Sequence, residues 1–416
     1  MILNLKHIIL SVLLVLLLIP EIYSQSSSPY SRIGIGDMLY AQSARKLGMG
    51  QLGTADAEQN FISFYNPAAL YNIKRTRIEF NLNYHGSFLS DDNVSAYYAK
   101  AEFGGFSIAF PISERYGIGA AGGLIPYSNV SYDVESSSQS SIGSYLTMYK
   151  GKGGLSKLFI GSSYKLPFDL SIGATLDYYF GNIDYVSSIT FPDQSNADAQ
   201  YTNEYRPKGI GSTIGLLSPD LAGAFATDGI TNFRFGLSYN YIADLRTDTV
   251  LTSRTTLGTD TLTTGIVSMK IPGRISAGLS FVVNKKYLVT LDYAFQEWEK
   301  YTFNDKTSGN LRNSSKISAG FEYTPQISPG TSFWEQIIWR GGLSFEQTQY
   351  LVNNTGINQY SVSGGFSLPL STANTLDLGL QYALRGTNDP GLYKEQILKA
   401  YLTVSFGDIW FIREEK

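Results

Sequence analysis

The sequence predicts an all-β fold: an antiparallel transmembrane β-barrel of about fourteen strands, closed around a folded N-terminal segment. Three observations carry that expectation. Apolar and polar residues alternate with a period of two from Arg77 almost to the C-terminus. Tight and long connections take turns between the alternating runs. The long stretch before the first run, Ala44 to Arg77, does not alternate.

From the N-terminus, Lys6 and His7 precede the apolar run Ile8 to Ile19, then Pro20 and a cleavage region at Ile22-Tyr23-Ser24. This reads as a signal peptide over residues 1–24, with Gln25 as the first mature residue. The run is too short for a comfortable span of roughly 20 residues, and no later uninterrupted apolar stretch reaches that length. Residues 25–43 are polar and then punctuated by glycine. Next come three glycines in six residues (Gly48, Gly50, Gly53), the aromatics Phe61, Phe64 and Tyr65, and Asn66-Pro67-Ala68-Ala69. Pro67 removes a backbone donor and biases Asn66 away from the helical region, so this is a turn. Residues 25–76 are therefore expected to be a compact insert that the strands wrap around.

The barrel is expected over residues 77–408. In the first run Ile78, Phe80, Leu82 and Tyr84 oppose Arg77, Glu79, Asn81, Asn83 and His85. The same grammar returns at 170–181, 233–241, 287–296 and 376–385, and in shorter form at 275–281, 317–324 and 362–368. A soluble sandwich also alternates. Strands of ten or more residues, aromatics near strand ends and the signal peptide favour a membrane barrel, with the apolar face toward lipid and the polar face toward the lumen. Short turns are expected at 112–115, 166–169, 226–230, 284–286 and 371–374. Longer polar loops are expected at 87–94, 132–146, 192–205, 250–261, 303–313 and 387–393. The connection 325–336 is long where a short one is due, and the pattern is weakest at 206–225 and 262–272. Residues 409–416 form a C-terminal tail.

Composition narrows the function. Charged residues are 16% and aromatics 14%, with 41 Gly, which suits strands joined by tight turns. A net charge of −3 gives no basic footprint for nucleic acid. With no cysteine there is no disulfide, thiolate metal site or lipidated N-terminal cysteine. Beyond the signal peptide His85 is the one histidine, so a metal site of several histidines is excluded. Neither a G-x-S-x-G elbow nor a phosphate-binding loop is present. No catalytic residue, metal or cofactor is expected, and His85 reads as a lumen residue of the first strand. Glu79, Asp177, Asp292, Glu322 and Asp377, with Arg77, Arg234 and Arg385, read as a polar network holding the insert. The third strand, Tyr116 to Val134, contains Gly122, Gly123 and Pro126. Proline cannot donate to the ladder, so the wall is either broken there or bulged near the rim.

Gly48-Met49-Gly50, Gly53-Thr54-Ala55 and Asn66-Pro67-Ala68-Ala69-Leu70, immediately before the first strand, resemble the FadL-type (FadL/TodX-like) family of outer-membrane long-chain fatty-acid and hydrocarbon transporters. Ser28-Pro29-Tyr30-Ser31-Arg32-Ile33-Gly34-Ile35-Gly36-Asp37 and Pro126-Tyr127-Ser128 look like its Bacteroidota branch. The resemblance implies a Gram-negative outer-membrane barrel plugged by an N-terminal hatch, with the turn Asn66, Pro67 and Ala68 at its centre. It implies passive uptake of small hydrophobic molecules and sideways release through a kink at Gly122, Gly123 and Pro126. Phe61, Phe64 and Tyr65 are then candidates to line the substrate path. Implied partners are outer-membrane lipids, the hydrophobic substrate and the outer-membrane assembly machinery. FadL-like barrels also include a shuttle of the type nine secretion system, so a non-transporting barrel serving protein secretion or surface assembly, with secretion-system proteins as partners, is the second reading. Two features depart from the family: the loops at 135–143 and 192–205 are polar, and Trp410-Phe411 is followed by five further residues.

Overall fold

The computed structural model describes residues 28–90, 95–140, 143–192, 196–224, 229–326, 330–371 and 373–408. The expected signal peptide and the tail 409–416 lie outside the described residues. Fourteen wall strands follow one another: β1 Thr76–Ser90, β2 Ser95–Ser113, β3 in two pieces (Ile118–Pro126 and Ser128–Ser140), β4 Gly143–Lys165, β5 Ser171–Thr190 and β6 Ala199–Leu217. β7 comprises Ile230–Ile242 and Leu245–Thr255, and β8 comprises Gly258–Lys270 and Arg274–Val283. Then come β9 Tyr287–Gln296, β10 Ser314–Tyr323, β11 Ile338–Val352, β12 Thr355–Pro369, β13 Thr375–Arg385 and β14 Lys394–Asp408. Each pairs antiparallel with its neighbour, and β1 pairs with β14 from Thr76↔Asp408 to Ser90↔Lys394, which closes the cylinder. Closure removes the free edges that a sheet would otherwise expose to lipid.

The alternation is resolved as expected. Ile160, Leu176, Ile210 and Leu343 stand outward, each 60% exposed or more, while Glu79, Asp177, Asp292 and Asp377 point inward and are buried. Of the two weakly patterned segments, 206–217 is strand in β6 and 262–270 is strand in the upper piece of β8, while 218–224 and 271–272 lie outside the strands.

The connections differ from expectation at the barrel end away from Thr76 and Asp408, here called the tall end. The loops expected at 132–146 and 250–261 are mostly paired strand, and so is 199–205 of the loop expected at 192–205: Glu135 faces Met148, Ser253 faces Asp260, and Ser187 faces Tyr201. Above the lipid no face must be apolar, so the hydropathy pattern fades while the hydrogen-bond ladder continues. At the opposite, short-turn end, β6 ends at Leu217 and β7 begins at Ile230, and most of the turn expected at 226–230 lies outside the described residues. The long connection at 325–336 carries the 3-10 helix Phe333–Gln336, capped reciprocally by Ser332 and Glu335.

β7 and β8 break at matching heights. Their lower pieces pair with each other from Val283↔Ile230 to Arg274↔Asn240, and their upper pieces form a separate hairpin whose first strand is laddered to β6 from Arg246↔Lys208 to Thr255↔Ala199.

The N-terminal insert fills the lumen. It contains the 3-10 turn Pro29–Arg32, the strand Asp37–Met38, the short helix α1 Ala44–Gly48 capped by Ser43, and the 3-10 turn Pro67–Asn72. Wall glycines let it sit backbone against backbone. A Cβ at Gly215 would overlap Asn66, one at Gly236 the Thr54 carbonyl, one at Gly320 the Met49 carbonyl, and one at Gly379 the Ala44 carbonyl. Gly50, at φ +81°, faces the Ala319 and Leu343 carbonyls from the other side, in a backbone region that favours glycine.

Candidate functional site

The hatch turn is built by Asn66. Its Oδ1 accepts from the Ala68 amide, capping the 3-10 turn, and its Nδ2 donates to the Thr54 and Leu216 carbonyls, both at 2.8 Å. Pro67 abuts Gly173 of β5. Asn66 and Ala68 are fully buried, and the turn is pressed to the wall at β4, β5 and β6.

A buried ionic lattice fixes the hatch to the opposite wall. Arg45 of α1 donates to Glu322 of β10 (Nε to Oε2, 2.8 Å) and pairs with Asp56, which Lys46 also reaches. Arg340 of β11 donates to Glu322 at 2.6 Å and to Asp377 at 3.1 Å. Burial pushes the Asp56 carboxyl up, but Arg45 and Lys46 outweigh it and hold the group well below the usual carboxylate range. Burial raises half-buried Glu58 to about 7. Higher up, Arg385 joins Asp37 at 2.6 Å and Glu395 at 2.5 Å. Of the other expected network members, Asp292 accepts from the Thr54 amide, Glu79 from the Ile62 amide, and Arg77 contacts Asn60. Asp177 bonds to the wall groups Lys157 and Thr213 instead, while Arg234 donates to the Ser218 carbonyl and stacks over Tyr71 of the hatch turn at 5.7 Å. His85 lies inward on β1, 3.3 Å from the Tyr401 hydroxyl and 3.5 Å from Glu102.

The wall parts beside β3. β2 stays paired with β1 out to Ser90↔Ser95, but its ladder to β3 runs only from Ser113↔Ile118 to Phe106↔Leu124. Beyond that point β3 keeps its other neighbour, β4, resuming at Val130↔Gly153. Its edge toward β2 is taken by the hatch: Asp37 pairs with Asn129, Met38 with Ser128, and the Ser28 amide donates to the Ser131 carbonyl at 3.0 Å. Across the parting, Lys100 of β2 donates to Asn129 at 2.7 Å. Gly122 and Gly123 lie in the regular ladder, opposite Ile108 and Ser107, just before the parting. Any side chain at Gly123 would overlap the Phe106 carbonyl. Pro126 ends the lower piece, and Tyr127 marks the break.

The three aromatics expected on one path occupy three environments. Phe61 is flanked by the guanidiniums of Arg45 at 4.6 Å and Arg340 at 5.2 Å. Phe64 meets Phe159 edge-on at 5.9 Å, in an apolar cluster with Ile62, Leu70 and Ile125 behind the lower piece of β3. Tyr65 faces Arg274 of β8 at 5.2 Å, and Tyr40 of the hatch and Tyr127 of the wall break face the same guanidinium. Tyr127 also meets Tyr179 at 5.1 Å. The sequence singles out neither Tyr40 nor Arg274, and it marks Tyr127 only within Pro126-Tyr127-Ser128, not as a partner of either. The available signal was that Tyr127 and Arg274 each follow a proline that breaks a strand, Pro126 and Pro272.

A family model described as BamG matches residues 1–415. The chain belongs to the BamG family. No curated protein matches this BamG-family chain. Among solved structures it is similar to the Ralstonia pickettii toluene transporter TbuX, with TM-score 0.60 and 16% identity over 89% of this chain and 99% of that one. The Pseudomonas putida toluene transporter TodX gives 0.57 and 14%, and a Pseudomonas aeruginosa FadL homologue 0.58 and 14%, each over 89% of this chain and 99% of the other. At these identities the likeness is one of fold: a BamG-family chain with the FadL-type barrel and hatch.

Proposed function

We propose that this protein is an outer-membrane channel for passive uptake of small hydrophobic molecules, which enter at the tall end and leave sideways between β2 and β3. The observation that carries this reading is the parting of the wall after Phe106↔Leu124. Unpaired strand in a lipid-facing wall is costly unless it borders a route or a cavity. The hatch then stays seated, and a lipophile need not cross the periplasm to reach an apolar phase. The names of TbuX and TodX as toluene transporters agree with a small apolar cargo. Insertion by the outer-membrane assembly machinery and contact with outer-membrane lipids follow from the location.

The test uses the absence of cysteine. Lys100 and Asn129 are both replaced by cysteine and joined by a short bis-maleimide, which closes the parting. Toluene entry into liposomes carrying the bridged protein is expected to fall to the level of empty liposomes. Entry that continues at the unbridged rate rejects sideways passage.

A second reading, a non-transporting barrel that serves protein secretion or surface assembly, is favoured by one feature. The Leu245–Lys270 hairpin exposes much of both faces at the tall end and offers a protein-sized surface. Deleting residues 247–268 separates the two, because toluene entry should survive while a surface-assembly phenotype should not.

A further inference from the structure

The lumen holds a guanidinium that the barrel does not neutralise. Arg274 opens the lower piece of β8, directly after Pro272-Gly273, and turns inward against Tyr40 and Tyr65 of the hatch and Tyr127 of the wall break. Among the described residues no carboxylate lies within ion-pair reach of it, and it donates no hydrogen bond. The nearby carboxylates are committed elsewhere: Asp177 to Lys157, Glu346 to Lys316, and Asp292 to the Thr54 amide. Arg274 is half-buried, and its guanidinium, packed among three tyrosine rings, carries no counter-ion, which leaves it available to an anion.

Besides the Tyr127 hydroxyl and Gln296 Oε1, which are near enough to pair with each other, two further groups at the same place lack partners. The Tyr65 hydroxyl is buried and unpaired, and so is Oδ1 of Asn240, which lies opposite Arg274 in the β7–β8 ladder. Asn240 is oriented by its amide, which donates to the Tyr179 hydroxyl at 2.9 Å and to Thr213 at 3.0 Å. The site therefore presents a fork of guanidinium donors, a phenol hydroxyl and one acceptor that needs a donor. Leu52, Leu155, Ile242 and Ile271 belong to the apolar cluster that includes these tyrosines.

We propose that Arg274, Tyr65 and Asn240 form a binding site for an anionic head group that also carries a hydroxyl, a phosphate monoester or a phosphoglycerol, on an amphiphile whose alkyl chain lies along the adjoining apolar cluster. Arg274 takes the anion in bidentate fashion, the Tyr65 hydroxyl donates a further bond, and Asn240 Oδ1 accepts from the head-group hydroxyl. A carboxylate satisfies the first two but leaves Asn240 without a donor. The inference goes beyond the uptake reading by adding an anionic amphiphile to its apolar cargo, and rests on that reading for the route, since Tyr127 backs the wall parting.

The full-length protein, purified in a neutral detergent, is titrated calorimetrically with dodecyl phosphate, lysophosphatidylglycerol, dodecanoate and dodecanol. At least one of the two phosphates is expected to bind tenfold tighter than dodecanoate, and dodecanol weakest. Whichever phosphate binds tighter identifies the source. Arg274→Gln should abolish the preference for anions and Arg274→Lys should keep part of it. Equal affinity for all four, or a preference that survives Arg274→Gln, overturns the proposal. Asn240→Ala keeps the test decisive if Arg274→Gln does not fold. It should erase the gap between phosphate and dodecanoate while both still exceed dodecanol, and a gap that remains overturns the assignment. The bridged protein tests the route separately. Blocked toluene entry without head-group preference rejects this site and keeps the sideways route. Preference with unblocked entry does the reverse.

Discussion

Arg45 and Glu322 meet through two parallel hydrogen bonds, Nε to Oε2 at 2.8 Å and Nη2 to Oε1 at 3.0 Å, although they lie 277 residues apart. Both are almost wholly buried, so removing one partner strands the other's charge. Arg45→Met is expected to cost about 3 kcal/mol, the low end for a broken buried pair because Arg340 still reaches Glu322 and Lys46 still reaches Asp56. Denaturant unfolding followed by fluorescence of the buried Trp298 measures the loss.

Asn66→Ala strands two backbone carbonyls and removes the cap of the Pro67–Asn72 turn, at a cost of roughly 1–3 kcal/mol. Asn66→Asp retains the acceptor for the Ala68 amide but loses both donors, and should fall between. Hydrogen exchange at Ala68 and Ala69 reads the turn directly. Equal exchange in Asn66→Ala and wild type would dismiss its role.

The glycines that face the hatch should be far less tolerant than those that face outward. Gly236→Ala drives a methyl group into the Thr54 carbonyl and should cost about 1–3 kcal/mol. Gly341→Ala meets nothing within 4 Å and should be silent. Heat-modifiable gel mobility of the folded barrel ranks the two.

Glu58 sets a pH dependence. Its ionisation is raised by burial from 4.5 to about 7 in the folded protein, so folding favours the protonated form. Its contribution is complete below pH 4.5 and is lost as pH rises through about 7. The melting temperature should therefore decline across that window in wild type and decline less in Glu58→Gln. Asp56 has the opposite sign and loses its contribution only in strong acid. A steeper decline in Glu58→Gln contradicts the assignment.

What the sequence made legible was whatever lipid demands. Outward residues such as Leu343, Val362 and Tyr382 had to alternate with inward Ser344, Ser361 and Gln381, so strand identity could be read locally. Above the lipid that demand disappears. Glu135-Ser136-Ser137 therefore looked like a loop, although it pairs with Leu146, Thr147 and Met148. The turn at Asn66 was legible from Pro67, but its seat against Gly173 and Gly215 depends on strands more than a hundred residues away. Phe61 shows the same limit: an aromatic side chain suggested an apolar path, and the two guanidiniums that flank it come from positions 45 and 340. Arg274 was illegible because its surroundings exist only where two interrupted strands and the hatch converge.

The double break in β7 and β8 makes the upper hairpin a removable storey. Its first strand is held by the outer end of β6, whereas the pieces below it, Ile230–Ile242 and Arg274–Val283, carry the contacts with the hatch. Foreign peptide could be grafted between Thr255 and Gly258 for surface display, with the seat beneath left to fold by its own rules.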